Sequence, residues 1–454
     1  MKFLPLGGAG DIGASCYYMN IAGTGIIIDA GLHPQRYGLE SLPKFEILQD
    51  LPVDAGLITH AHQDHLSALP YLVQRHPYIR VVATPQTRGI AELTLHNSVS
   101  ILREQLKGDE TLRPYSHEEV DMLVRSIEWK SYREPFGIEG YRHAAPHPIT
   151  GSFHDAGHIL GSAGILLEHE GKSIFFTGDI NLTPQAIQSG AVLPDQKVDT
   201  LVLECTHGAT DSLFLPVWGR EAQSMAHRAN QILAGGGTIL IPVFALGKLQ
   251  EMLCTLWQLM EAGTLSRADL YTGGIGRKIN TAYDRNRYVV RRVNPDFELA
   301  SVMQQDLYEI ENLDELFRQP GIVLASSGMV VEGTLSYRLA SLCLKHPKSG
   351  IFIVGYMDPE TPGYRISQAS RGDLIQLTAS AEPESVRCSI DKFRFTSHAR
   401  REDLLAVVRR LRPSQVILVH GDEEAIHWMG NAILTEHPGM KVRAAEIGSM
   451  IAID

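Results

Sequence analysis

The chain reads as an α/β protein in which one α/β domain is inserted into another, and three stretches of sequence predict this. Residues 1–206 mix apolar β-type runs with glycine turns and a few helical stretches. Residues 207–384 alternate long helices with buried strands, the pattern of a parallel α/β domain whose strands need helical crossovers. Residues 385–454 return to the shorter mixed pattern. The expected division is therefore a first domain in two parts, 1–206 and 385–454, flanking an inserted domain at 207–384.

Each element follows from local pattern. Ser15–Ile21 and Gly25–Asp29, joined by Ala22-Gly23-Thr24, form a hairpin. Val53–Thr59 is a strand, and His65–Arg75 a helix whose apolar face is Leu66, Leu69, Leu72 and Val73. Thr87–Leu106 and Ser116–Lys130 are further helices, the first carrying Ile90, Leu93, Val99 and Leu102 at near-helical spacing. Strands return at Gly164–His169, Ser173–Thr177 and Thr200–Glu204. In the middle segment Thr238–Val243, Gly321–Ala325 and Gly350–Val354 are strands, and Leu246–Glu261 and Thr334–Lys345 helices. The return segment runs strand Cys388–Phe395, helix Glu402–Arg410, strand Gln415–Val419, helix Glu423–Leu434.

Composition narrows the class. With 454 residues the chain can bury two or three cores. A hydrophobic fraction of 44% and a charged fraction of 20% exclude a disordered chain. No apolar run approaches the length of a membrane span, and Met1-Lys2-Phe3-Leu4-Pro5 lacks the features of a signal peptide. The five cysteines are scattered and contain no Cys-x-x-Cys, so a reducing cytoplasm is expected and a disulfide framework is not. The formal net charge of −11 counts, at first sight, against a nucleic-acid partner.

The most informative segment is Thr59-His60-Ala61-His62-Gln63-Asp64-His65. His60 and His62 lie two apart at a strand end, so an extended backbone puts both rings on one side. Asp64 and His65 follow in the turn into a helix. Imidazole nitrogen and carboxylate oxygen suit zinc, and four donors so close together exceed what one open tetrahedral ion needs, which suggests two metals. Further candidates end strands or sit in Gly-flanked loops: His158, Asp179 after Ile174-Phe175-Phe176-Thr177-Gly178, and His420 after Val416-Ile417-Leu418-Val419.

The His-x-His-x-Asp-His segment resembles the signature of the metallo-β-lactamase superfamily. Leu203-Glu204-Cys205-Thr206-His207-Gly208, Ile241–Glu251, Ser326-Ser327-Gly328-Met329, Phe395-Thr396-Ser397-His398-Ala399 and Val419-His420-Gly421-Asp422 narrow the resemblance to its β-CASP nucleases. That group includes the cleavage-and-polyadenylation endonucleases and ribonuclease J. The resemblance implies an αββα sandwich with an inserted β-CASP domain. It implies a first zinc on His60, His62 and His158, a second on Asp64, His65 and His420, and Asp179 bridging both. Asp29 would orient a ligand histidine by accepting its other N–H. A hydroxide bridging the ions would attack a phosphodiester, with Asp64 in the catalytic set, and His398 held by Glu204 would serve the leaving oxygen. Ser326, Ser327 and Gly328 would cradle a neighbouring phosphate, with Lys248 and Arg400 as further phosphate contacts. Lys248 stands where relatives carry arginine, Arg400-Arg401 replace a small polar residue, and His207 replaces tyrosine. The remaining histidines, among them His33, His143 and His207, are read as surface or structural, although His33 runs towards the site.

These features imply a zinc-dependent ribonuclease acting on single-stranded RNA without a membrane. A DNA-directed β-CASP nuclease and a small-molecule ester hydrolase of the same superfamily are the alternatives. Among such nucleases histidine at position 420 goes with RNA and an aliphatic residue with DNA. The chain lacks the additional modules of ribonuclease J, which favours a processing endonuclease over a 5′-3′ exonuclease. Oligomeric state stays open, a homodimer included. Two Zn²⁺ would bring the net charge from −11 to −7. Positive charge is also clustered, at Arg285, Arg287, Arg291 and Arg292 and again at Arg400, Arg401, Arg409, Arg410 and Arg412. Either cluster is a candidate wall of an RNA groove.

Overall fold

The computed structural model describes residues 1–106, 111–141 and 145–453, so His143 lies outside the described residues. The chain divides into two compact units. One comprises Met1–Thr183, Gly190–Ser212 and Ser397–Asp454, the other Pro184–Ser189 and Leu213–Thr396.

These limits differ from those expected at 206/207 and 384/385. Residues 207–212 go with the first unit. The strand expected to open the return segment, observed at Ser389–Lys392, instead pairs in parallel with Gly350–Ile353 and completes the sheet of the second unit. Residues 184–189 also join the second unit, where the buried carboxylate of Glu251 accepts the backbone N–H of Ile187 at 2.7 Å and of Gln188 at 3.0 Å.

The first unit is an αββα sandwich built on two seven-stranded sheets. Their shared core takes Met19, Ile26 and Leu57 from one sheet and Phe153, Ile165 and Phe176 from the other. In the second sheet Lys172–Phe176, Thr200–Glu204 and Gln415–Val419 run parallel. Strand periodicity divides their side chains. Val202, Ile417 and Val419 enter the shared core, while Leu201, Leu203 and Leu418 pack on the opposite face with Leu404 and Val408 of helix Arg401–Leu411 and Met429 of helix Glu423–Glu436.

Two expected helices are shorter than their apolar pattern suggests. His65–Arg75 is broken into Gln63–Leu66 and Leu69–Arg75, because Pro70 opens the second helix and removes the N–H that a continuous helix needs. Ser116–Lys130 ends as a helix at Ser126. It begins with a reciprocal cap between Ser116 and Glu119, and Glu128–Trp129 leaves it to pair with Val82–Ala83.

The second unit carries a six-stranded, all-parallel sheet in the order Gln305–Asp306, Asp269–Thr272, Gly321–Ala325, Thr238–Pro242, Gly350–Ile353, Ser389–Lys392. All five cysteines are buried and unpaired. Among the described residues no helix is long and apolar enough to cross a membrane.

Leu203 is fully buried between the second sheet and its helices. Leu203→Ala is expected to lower unfolding free energy by about 2–5 kcal/mol, through lost burial plus the cavity left behind. Equilibrium denaturation would check it.

Candidate metal centre

The centre forms where strand ends of the first unit converge. His60 follows strand Ala55–Leu57, His158 follows Ile149–Asp155, Asp179 follows Lys172–Phe176, and His420 follows Gln415–Val419. Asp29 follows Thr24–Ile28 and Glu204 is the last residue of Thr200–Glu204. Buried strands leave their polar residues nowhere to go except the ends, and here the ends share one rim.

The loop bearing Asp64 and His65 is clipped onto Ala30-Gly31-Leu32. Ala30 N–H donates to His65 O, Leu32 N–H to Gln63 O, and Ser15 links the two loops by donating to Asp64 O and accepting from Gly31 N–H, all at 2.8–3.0 Å. A Cβ at Gly31 would lie 1.7 Å from Asp64 O, so only glycine permits this approach.

The donor atoms fall into two groups, His60, His62, His158 and Asp179 in one and Asp64, His65 and His420 in the other, with the atoms of each group within 4.8 Å of one another. Asp179 faces both. Its Oδ2 lies 3.5 Å from His60 Nε2 and 3.6 Å from His158 Nε2, and its Oδ1 3.4 Å from His65 Nε2. Asp64 Oδ2 lies 3.6 Å from His420 Nε2.

The second ring nitrogens reveal which lone pairs point inward. His60 Nδ1 meets Thr59 Oγ1 at 3.0 Å, His65 Nδ1 meets Asp29 Oδ2 at 2.8 Å, His158 Nδ1 meets Ser397 O at 2.8 Å, and His420 Nδ1 meets Thr206 Oγ1 at 3.1 Å. Each acceptor takes the Nδ1 proton and turns Nε2 inward. His62 presents Nδ1 instead, 3.1 Å from both His60 Nε2 and His158 Nε2. Lone pairs facing one another at such distances, beside a buried Asp179 Oδ1 with no hydrogen-bond partner, are a fit for metal cations.

The electrostatics agree. Burial, reinforced by neighbouring imidazoles, pushes His60 and His158 well below the usual histidine range, so both rings are neutral and can offer a lone pair to a cation. His65 is the opposite: burial opposes its charge, but Asp179, Asp64 and Asp29 outweigh that and raise its pKa to about 10. Three carboxylates that hold a proton on a buried ring mark a place for positive charge.

Beside the two groups stands His398. Its Nδ1 is 3.1 Å from Glu204 Oε1, and its Nε2 faces Asp179 Oδ2 at 4.0 Å. Burial would raise the Glu204 carboxyl, but the His398 charge prevails and brings it to about 2. His398 is in turn raised above its ordinary value, burial opposing and Glu204 prevailing. Glu204 also accepts the N–H groups of Ile180 and Thr206, which fixes its carboxylate.

The other expected site residues lie elsewhere or are engaged. Ser326, Ser327 and Gly328 belong to the second unit and follow strand Gly321–Ala325, with Ser327 Oγ accepting Val331 N–H at 3.1 Å. Lys248, expected at a substrate phosphate, is buried instead. Its Nζ donates to Phe395 O at 2.5 Å and lies over the Trp218 ring, and burial lowers its pKa to about 8. Arg400 is paired with Asp403 at 3.0 Å. His33 is paired with Asp11 at 2.9 Å. His207, read as structural or surface, stands edge-on to the His398 ring at 6.0 Å between centroids. Thr59, Thr206 and Ser397, which hold the Nδ1 sides of these rings, lie inside the quoted motifs but carry no signal of that role.

Comparison with known proteins agrees with this architecture. Three family models match: "Metallo-beta-lactamase superfamily" over residues 9–199, "Beta-Casp domain" over 249–366, and "Zn-dependent metallo-hydrolase RNA specificity domain" over 383–445. Similar curated proteins include Endoribonuclease YSH1 of Kluyveromyces lactis, 27% identical over 98% of this chain and 59% of that protein. Cleavage and polyadenylation specificity factor subunit 3 of Dictyostelium discoideum is 28% identical over 100% of this chain and 57% of its own length. Cleavage and polyadenylation specificity factor 73 of Drosophila melanogaster is 27% identical over 96% and 62% respectively. The chain thus spans between half and two thirds of each of these relatives. A crystal structure of a protein of unknown function from Enterococcus faecalis V583 shares the fold, with a TM-score of 0.58 and 13% identity over 99% of both chains.

Asp29→Ala removes the acceptor that orients His65 and anchors Thr59. Bound metal is expected to weaken about tenfold to a hundredfold, measured by competition with a chelator of known affinity. Gly31→Ala should lower bound metal as well, because the added Cβ displaces the Asp64 backbone.

Proposed function

The chain belongs to the β-CASP branch of the metallo-β-lactamase superfamily, and on that premise we propose that it is a zinc-dependent endoribonuclease that hydrolyses phosphodiester bonds of single-stranded RNA. The observation that carries this reading is the Asp179 carboxylate set between two groups of inward-facing donors, with the Glu204-held His398 beside it. A donor set of imidazoles and carboxylates favours zinc, one ion on His60, His62 and His158 and one on Asp64, His65 and His420, with Asp179 serving both. Two such ions, when bound, would supply a nucleophile from water near neutral pH and would neutralise charge on the scissile phosphate.

The chain's own residues do the rest. Asp29, Thr59, Thr206 and Ser397 hold the ligand rings so that no reorientation accompanies the reaction. Glu204 fixes the His398 tautomer and favours its protonated form. The Nε2 proton of His398 passes to the leaving sugar oxygen as the phosphorus–oxygen bond breaks. RNA rather than DNA is favoured by His420, by the RNA-specificity description of the model matching residues 383–445, and by relatives named endoribonucleases. The buried free cysteines suit a reducing compartment such as the cytoplasm.

Incubating the purified protein with 5′-labelled RNA and matched DNA, with and without chelator, tests the reading. Internal RNA fragments that vanish with chelator are expected. Uncut RNA would sink the reading, and mononucleotides alone would convert it to an exonuclease. His398→Ala should keep its metal while cleavage slows about 10²–10⁴-fold. Loss of metal in that variant would contradict the proton-donor role. Asp179→Ala should lose both metal and activity.

A further inference from the structure

The two arginine clusters of the sequence fare differently once folded. In the first unit Arg400 pairs with Asp403, Arg401 with Asp211 and Glu402 while lying over Trp428, and Arg409 with Glu436. Three of the five arginines of that cluster are thus neutralised by nearby acids, and Arg410 and Arg412 are exposed. In the second unit Arg292 is buried and donates to Tyr283 O, and Arg287 pairs with Glu298. Arg285 stays exposed, and the fold gives it new neighbours.

Arg285 ends helix Ile275–Arg285, whose buried face is Gly276, Ile279, Asn280 and Tyr283. The opposite face presents Arg277, Lys278, Thr281 and Arg285, spaced as neighbours along the helix surface over about 12 Å. Arg277 is tied to Asp306 at 2.6 Å. Among the described residues Lys278 and Arg285 form no ion pair. The single acid of the helix, Asp284, is turned away and accepts the N–H groups of Leu299 and Ala300. An exposed aromatic ring stands at each end. Tyr308, 70% exposed, lies against Gly273, where a Cβ would meet its ring at 3.0 Å. Tyr288, 69% exposed, follows the helix with the Arg287 guanidinium over its ring at 4.8 Å.

We infer that this face of the second unit, Arg277, Lys278, Thr281 and Arg285 flanked by Tyr308 and Tyr288, is a docking surface for single-stranded RNA. The inference rests on the ribonuclease reading above. Cations at helical spacing follow a phosphate backbone without reading its sequence, and exposed rings at both ends offer stacking platforms that accept any base. On a chain of net charge −11, a face that offers Lys278 and Arg285 without an ion pair, and whose one acid Asp306 is held by Arg277, is complementary to a polyanion.

The test compares two double charge reversals in the full chain, K278E/R285E on this face and R410E/R412E on exposed cations of the first unit. Binding of a labelled oligouridylate is measured across a salt series. The first pair should weaken binding at least tenfold and flatten the salt dependence by about 1.4 in log–log slope, the value for two lost single-strand phosphate contacts. Tyr308→Ala should weaken binding several-fold without changing that slope. The second pair should bind close to wild type. Equal losses from both pairs would mean that only net charge matters and would overturn the inference, as would wild-type binding in K278E/R285E. If the wild-type chain neither binds nor cuts RNA, the ribonuclease reading itself fails.

Discussion

One buried carboxylate organises the centre. Asp29 accepts the N–H of Thr59, the hydroxyl of Thr59 and Nδ1–H of His65, at 2.7, 2.7 and 2.8 Å. With its hydrogen donated to Asp29, the Thr59 hydroxyl has a lone pair left for His60 Nδ1. Asp29 therefore sets one ring in each donor group, His65 directly and His60 through Thr59. Its own backbone is in the left-handed region at φ 60°, which aspartate tolerates better than most side chains. His420, another of the donors, has φ 47°. These two residues stand just past strand ends, where a side chain has to be turned onto the rim.

The sandwich explains why the donors can come from so far apart. Parallel strands Lys172–Phe176, Thr200–Glu204 and Gln415–Val419 end together, so Asp179, Glu204 and His420 reach one rim by register alone. The strands are held by apolar contacts on both faces, and the polar residues of the centre lie at or just past their ends. Stability and chemistry thus reside in different parts of the same strands, bodies for one and ends for the other.

Much of this was legible in the sequence, for identifiable reasons. His60, His62, Asp64 and His65 are close in the chain, so their spacing alone announces a metal loop. His158, Asp179 and His420 are visible only as polar residues at strand ends, and their grouping came from resemblance. Thr59, Thr206 and Ser397 stand in the motifs, but their role is not legible there, because a hydroxyl or carbonyl that accepts one N–H looks like any other. Strand Ser389–Lys392 was recognisable as a strand but not by its partner, since periodicity reports burial and says nothing about neighbours. Pro70 could have warned of the broken helix at His65–Arg75. The charges of Lys248 and Arg400 were legible but not their internal partners Phe395 and Asp403.

His420 lies 355 residues beyond His65, and the Ser397 carbonyl that steadies His158 lies 239 residues beyond it. During synthesis the first four donors therefore leave the ribosome long before the centre can close. Until the segment after residue 397 has emerged, His158 lacks its backbone anchor and the second group lacks one of its rings. A truncated or stalled product is thus left with an incomplete centre, and the full donor set assembles only with the last strands of the sandwich.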